Sequence, residues 1–379
     1  MFTAAIVVCA GCANRGSPAP RTTWVAQRAA ALDAGVPAII RSRRIAGAGV
    51  ALIRDGRLAW TGYYGEQGPG VPASRTTMFN TASLAKSITA ETAVRLASAG
   101  MLSLDEPIAA WYLEPDLADD PRYARLTPRI ILSHRSGLLN WEYQYKNKKL
   151  AFVADPGTRF GYSGAAYDIL AKFLEKKSGL GFDDLVSKTV FEPLGMTHTS
   201  MRRRASIDAL VTTPMNADGV YEAPYTTTQR DWHHGSWSSA SDLFVTLEDY
   251  SKFLIDVMNG HAVSIALARE RFVVESSFAG AEEWACMAEA GLVCPNPYGF
   301  GLGWIVFDYG PHKLVWGGGN DSGENALVHF SPDKPGDAVV IFINGGNGVV
   351  ASLDIAELID RDQPLVSYLH QLVDRHRRQ

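Results

Sequence analysis

Two apolar runs, Ala48 to Arg54 and Arg57 to Gly65, flank Asp55-Gly56. That dipeptide suits the left-handed positions of a tight hairpin turn, so the pair predicts two antiparallel strands. Before them, Arg21 to Arg44 reads as a helix ending in a basic cluster. After them, Gly65 to Arg75 is turn-rich and leads into a helix that begins near Ser83, continues through Leu96 and stops at Gly100, a residue suited to a helix end. As far as about Ala285 the pattern is mainly helical segments broken by long polar loops, with examples at Pro128 to Ser133, Ala165 to Lys177 and Thr246 to Met258. Beyond Tyr298, short apolar runs return at Gly303 to Tyr309, Lys313 to Trp316, Ala326 to Phe330 and Ala338 to Asn344. Gly, Asp and Pro separate them, which suits antiparallel strands joined by tight turns. A final amphipathic helix is expected from about Val350 to His376, ending in a basic tail.

Strands at both ends and helices between predict an α+β fold. One antiparallel β-sheet is built from both chain ends and flanked by the terminal helices, with a mainly helical inserted domain. The expected division is 1–20 as a signal segment and linker, 21–80 with 286–379 as the sheet domain, and 81–285 as the helical domain. A cleft between the sheet edge and the helical part is the default ligand site.

Composition changes this picture little. Of 379 residues, 46% are apolar and 20% charged, as in an ordinary globular chain. The net charge of −4 offers no case for nucleic-acid binding. Met1 to Gly11 is apolar and leads to Ala10-Gly11-Cys12 and a Pro- and Ser-containing stretch. This resembles a bacterial lipoprotein signal and gives the expectation of export to the periplasm, with a lipid anchor at Cys12. No Lys or Arg precedes the apolar stretch, and Cys9 stands where such signals usually carry Leu. Cys286 and Cys294 share one loop and could form a local disulfide in an oxidising compartment or remain free thiols. Neither cofactor nor metal is expected. No His or second Cys pair lies near those cysteines, and Trp232-His233-His234, able to line a cleft mouth, lacks a third ligand.

The chemistry lies in three short stretches. In Ser83-Leu84-Ala85-Lys86, residues three apart share a helix face, so a hydroxyl and an amine come within reach of each other. The first-turn position favours an alkoxide at Ser83, and an adjacent amine makes it an activated nucleophile. The plainer alternative is an N-cap serine followed by a solvated lysine. In Pro156 to Gly164, Tyr162 stands at the tip of a turn leading into a helix, where a phenol could relay a proton or simply pack its ring. In Leu314 to Asn320, a strand runs into Gly317-Gly318-Gly319. Such glycines mark close approach of a ligand to the backbone, or a flexible turn. The backbone N–H of Gly319 could form half an oxyanion hole with that of Ser83. Gly161-Tyr162-Ser163-Gly164-Ala165 falls short of a G-x-S-x-G elbow because the last Gly is missing, so Ser163 is not expected to be the nucleophile. His134 is expected to be a satisfied structural histidine.

The order of S-x-x-K, Tyr-Ser-Gly and Trp-Gly-Gly resembles the serine β-lactamase-like superfamily, which includes class C β-lactamases, penicillin-binding DD-peptidases and family VIII carboxylesterases. The likeness runs from about Ala48 to Asn344 and includes Leu132 to Leu138, Glu192 to Met196, Thr246 to Leu254 and Tyr298 to Trp304. It implies acylation of Ser83, proton transfer by Lys86 and Tyr162, and an oxyanion held by the N–H groups of Ser83 and Gly319. Gly164, Trp316, Gly317 and Gly318 would touch substrate. Gly164 stands where the lactamases and peptidases carry Asn, and Trp316 where they carry Lys or His; the family VIII esterases are similar in having Trp-x-Gly. The resemblance therefore implies a carboxylesterase on small acyl esters with weak β-lactam hydrolysis. A DD-peptidase or class C-like β-lactamase is the alternative, and a non-catalytic binding protein that keeps the fold is the outside one.

Overall fold

In the computed structural model the described residues are 21–222, 238–332 and 336–378. The expected signal segment with Cys12, and Trp232-His233-His234, lie outside them. The first half of the chain forms α1 (Arg21–Arg43), β1 (Gly47–Arg54), β2 (Arg57–Gly68), β3 (Val71–Pro72), β4 (Phe79–Asn80), α2 (Ala85–Ser98), α3 (Pro128–Leu132), α4 (Gly164–Ser178) and α5 (Phe182–Val186). Then follow β5 (Thr199–Ser200), β6 (Phe244–Val245), α6 (Leu247–Asn259), α7 (Ile265–Glu270) and β7 (Ser276–Ser277). The last part forms β8 (Tyr298–Phe300), β9 (Ile305–Asp308), β10 (Lys313–Asp321), β11 (Glu324–Phe330), β12 (Ala338–Asn344), α8 (Gly348–Ile359) and α9 (Pro364–Arg378).

Nine strands pair in the order β3-β2-β1-β12-β11-β10-β9-β8-β7. The two ends of the chain meet inside it, where β1 pairs antiparallel with β12 from Gly47↔Asn344 to Ile53↔Ala338. The α+β fold expected from the sequence is the one observed. All seven residues of β12 are buried, because both faces of the sheet are covered. Side chains alternate across a strand, so Val340 and Phe342 join the core shared with α2, α4 and α6. Val339, Ile341 and Ile343 join the second core, beneath α1, α8 and α9. A small sheet, β4-β6-β5, lies on the helical side.

One expectation needs correction. The single helix expected from Val350 to His376 is two helices, because Pro364 opens α9. Proline lacks an N–H and pushes the preceding residue out of the helical region, so α8 ends before it. Of the two readings left open for the three glycines, the flexible turn does not hold. They lie inside β10, which runs to Asp321, and Gly317, Gly318 and Gly319 pair with Val328, Leu327 and Ala326 of β11. Cys286 and Cys294 form a disulfide.

Candidate active site

The turn before α2 carries the first group. Ala82 has φ +47°, a left-handed conformation costly for alanine, and a 3-10 turn follows over Ala82–Leu84. The turn is held from below. Asn80 Oδ1 accepts the Ala82 N–H while Asn80 Nδ2 donates to buried Glu324 at 2.5 Å. The Thr81 N–H donates to the Leu243 carbonyl at 3.0 Å. Ser83 thus sits at the mouth of α2. Lys86, on the first turn of that helix and buried, brings Nζ to 3.1 Å from Ser83 Oγ and donates to the Ala240 carbonyl at 2.8 Å.

Tyr162 meets this pair from the loop before α4, with its ring centroid 4.8 Å from Lys86 Nζ. The tyrosine ring also stacks on His134 at 4.3 Å between centroids. His134 Nδ1 accepts the Ser163 N–H at 3.1 Å, so the neutral ring carries its proton on Nε2, which has no hydrogen-bond partner among the described residues. Burial and the neighbouring Lys86 charge hold the His134 pKa well below the usual imidazole range. This ring is therefore a neutral platform under Tyr162 and lines the cavity. Ser163 is buried and caps α4. Its hydroxyl accepts the Ala166 N–H and donates to the Leu139 carbonyl at 2.8 Å.

The glycine strand completes the group. Strand β9 pairs with β10 only as far as Ile305↔Trp316, so the edge of β10 beyond Trp316 has no strand beside it. The Ser83 turn packs there instead. A side chain at position 319 would begin 2.0 Å from the Thr81 carbonyl oxygen and 2.9 Å from Ser83 N, so only glycine lets the two backbones meet this closely. Ser83, Lys86, Tyr162, Trp316, Gly317, Gly318 and Gly319 all line one cavity of about 670 Å³. Gly164 is set apart from them. It opens α4, buried under the Trp141 indole, and a side chain there would begin 2.3 Å from that ring. Its N–H donates to Asn140 Oδ1 at 2.8 Å, and Asn140 itself lines the cavity.

The family model described as Beta-lactamase matches residues 24–361. The chain belongs to the beta-lactamase family. Among its relatives is esterase EstB of Burkholderia gladioli, 30% identical over 201 residues, which are 45% of this chain and 51% of the esterase. The match thus spans about half the length of that relative. Penicillin-binding protein 4 of Amycolatopsis lactamdurans is 24% identical over 335 residues, covering 83% of this chain and 84% of that protein. Among solved structures, the D-alanine carboxypeptidase AmpC of Burkholderia cenocepacia has the same fold, with TM-score 0.69 at 19% identity, covering 88% of this chain and 99% of that one. This is a beta-lactamase-family chain with both esterase and penicillin-binding relatives.

Sequence reasoning missed Asp168 altogether. Its carboxylate accepts hydrogen bonds from Ser238 Oγ at 3.0 Å, Ser239 Oγ at 2.8 Å and the Ser239 N–H at 2.8 Å. These fix the segment whose Ala240 carbonyl holds Lys86. One signal was available: a lone acid inside the apolar run Ala165 to Ala171 of α4. Burial pushes its pKa up to about 7, against the pull of the serine hydrogen bonds. Between about pH 4 and pH 7 the folded chain therefore keeps a proton here that the unfolded chain has released, so unfolding free energy falls as pH rises through that window. Asp168→Asn is expected to flatten this slope in urea unfolding series run at several pH values. Equal slopes in variant and parent would rule out titration at this carboxyl.

Proposed function

We propose that this family member is a serine hydrolase that works through a covalent acyl-enzyme, acting as a carboxylesterase on uncharged esters of small acyl groups. The observation that supports it best is the make-up of the cavity beside Ser83. Among the described residues that line it, Lys86 is the one Lys or Arg, and it is already engaged with Ser83 and Ala240. The remaining wall is mainly apolar and aromatic, including Trp284, Phe300, Ile305 and Trp316. Among these residues a substrate carboxylate meets no second cation, and an uncharged ester needs none.

In this reading, Lys86 in its neutral form donates to Ala240 and turns its lone pair toward the Ser83 hydroxyl. It takes the hydroxyl proton as Oγ attacks the ester carbonyl carbon. The C=O π electrons move to oxygen, and the N–H groups of Ser83 and Gly319 stabilise that oxyanion. Collapse breaks the bond to the alcohol oxygen, which takes a proton delivered through Lys86 and Tyr162. Water then repeats the sequence on the acyl-enzyme. Electrostatics disfavours the lactam alternative: a Lys or protonated His at position 316 would offer a substrate carboxylate about 1.5–3 kcal/mol, and the indole of Trp316 offers a neutral donor at most.

The test compares two chromogenic substrates. Purified protein is expected to hydrolyse p-nitrophenyl butyrate with a kcat/KM at least roughly 100-fold above that for a chromogenic cephalosporin, equivalent to a few kcal/mol of lost carboxylate binding. Trp316→Lys should narrow the ratio. The penicillin-binding relative matched along most of its length makes the opposite outcome the natural second reading. Efficient cephalosporin turnover or penicillin labelling with negligible ester hydrolysis would put a β-lactamase or DD-peptidase first.

A further inference from the structure

The family match ends at residue 361, and α9 begins at Pro364. This helix reaches the cavity. Leu369, Leu372 and Val373 stand at helical spacing on one face and line its wall. Val349 and Leu353 of α8 face them, with Leu327 of β11 completing an apolar leg that is continuous with the Ser83 end of the cavity. The leg lies on the terminal-helix side of the sheet, where Leu327, Leu353, Leu369 and Leu372 belong to the second core.

The helix is fastened in place through backbone-directed bonds from one neighbouring segment. Tyr368 Oη donates to the Trp284 carbonyl at 2.7 Å, and Gln371 Nε2 to the Ala285 carbonyl at 3.0 Å. The Met287 N–H donates back to Gln371 Oε1 at 2.8 Å, and Arg375 donates to the Ala285 carbonyl at 2.8 Å. That segment contains Cys286, tied to Cys294, and Trp284, which itself lines the cavity and stands 6.4 Å from the Trp316 ring. A disulfide-tied segment and the last helix thus hold each other, and together they close one side of a site that sits beside the nucleophile.

We infer that α9 walls an apolar leg that receives the hydrocarbon chain of the ester, so that α9 sets chain-length preference. This rests on the ester reading above. The walls offer aliphatic side chains, chiefly Leu and Val, and the hydroxyl of Ser352 is already turned to the Val349 carbonyl at 2.8 Å. A methylene moved from water into such a leg is worth about a fourfold gain in kcat/KM.

Two substrate series test it on the full chain: p-nitrophenyl esters from acetate to decanoate, and acetate esters of alcohols from methanol to decanol. The expected result is a rise of about three- to fourfold per methylene over several carbons in one of the two series, then a plateau. Whichever series rises identifies the chain as acyl or alcohol. Val373→Trp, at a half-buried position, should lower the ratio of long-chain to acetate turnover more than tenfold and bring the plateau to shorter chains. Leu372→Ala, which removes bulk, should move the plateau to longer chains and provides a second reading if the tryptophan variant does not fold. Flat profiles in both series, or a profile that neither variant changes, overturn the inference. Absence of all ester hydrolysis, with no fluorophosphonate label on Ser83, instead overturns the esterase reading on which it stands.

Discussion

Ser83→Ala is expected to lower ester turnover by on the order of 10⁴-fold or more and to eliminate labelling by a fluorophosphonate, with the thermal unfolding midpoint nearly unchanged. The magnitude follows from losing covalent catalysis altogether, because neither water nor a neighbouring group can take the place of Oγ at the mouth of α2. Stability should survive, since the hydroxyl's interaction is with Lys86 Nζ, which keeps its bond to the Ala240 carbonyl. Ser163→Ala supplies the contrast. It removes the cap of α4 and a buried hydrogen bond to Leu139, so it should cost about 0.5–2 kcal/mol of stability while leaving the label in place. If Ser163→Ala lost the label and Ser83→Ala kept it, the nucleophile would be misassigned.

Lys86→Arg should be nearly as damaging, with turnover down by on the order of 10³-fold or more. A guanidinium does not give up its proton in a protein and so cannot accept one from Ser83. Size works in the same direction. The amine lies within about 6 Å of the ring centroids of Trp141, Tyr162 and Tyr167, and a planar guanidinium fills that enclosure less well. Lys86→Met separates the two causes, because it is uncharged and slender. Pre-steady-state acylation measured for both variants gives the answer. Near-parental acylation by Lys86→Arg would exclude this side chain as the base.

Much of this site was legible in the residues because its chemistry is local. Ser83 and Lys86 are brought together by helical spacing, which depends on no distant contact. The hairpin at Asp55-Gly56 and the apolar alternation of the last strands likewise carry their own instructions. What escaped notice depends on tertiary neighbours. Gly164 looked like a residue facing substrate, yet the Trp141 indole covers it from 23 positions earlier, a contact that spacing does not encode. Asp168 matters only because the chain returns with Ser238 and Ser239 to meet it. His134 was expected to be fully satisfied, and its Nε2 has no partner among the described residues. The break at Pro364 was written in the sequence, but continuous amphipathic character on either side of it masked the boundary. That boundary is what makes α9 a separate wall of the cavity.

The pairing of β1 with β12 has a consequence for how the chain is made. These two paired strands are about 300 residues apart, so the contact order of the sheet is high and closing that loop is slow. At a synthesis rate of about 5–20 residues per second, the β1–β2 hairpin emerges on the order of 15–60 s before its partner strand exists. During that interval the β1 edge, with Val50, Leu52 and Ile53, is an open apolar template of the kind that recruits other chains. Newly made protein should therefore depend on holdase chaperones until Asn344 has been delivered, and refolding yield in vitro should fall steeply as chain concentration rises.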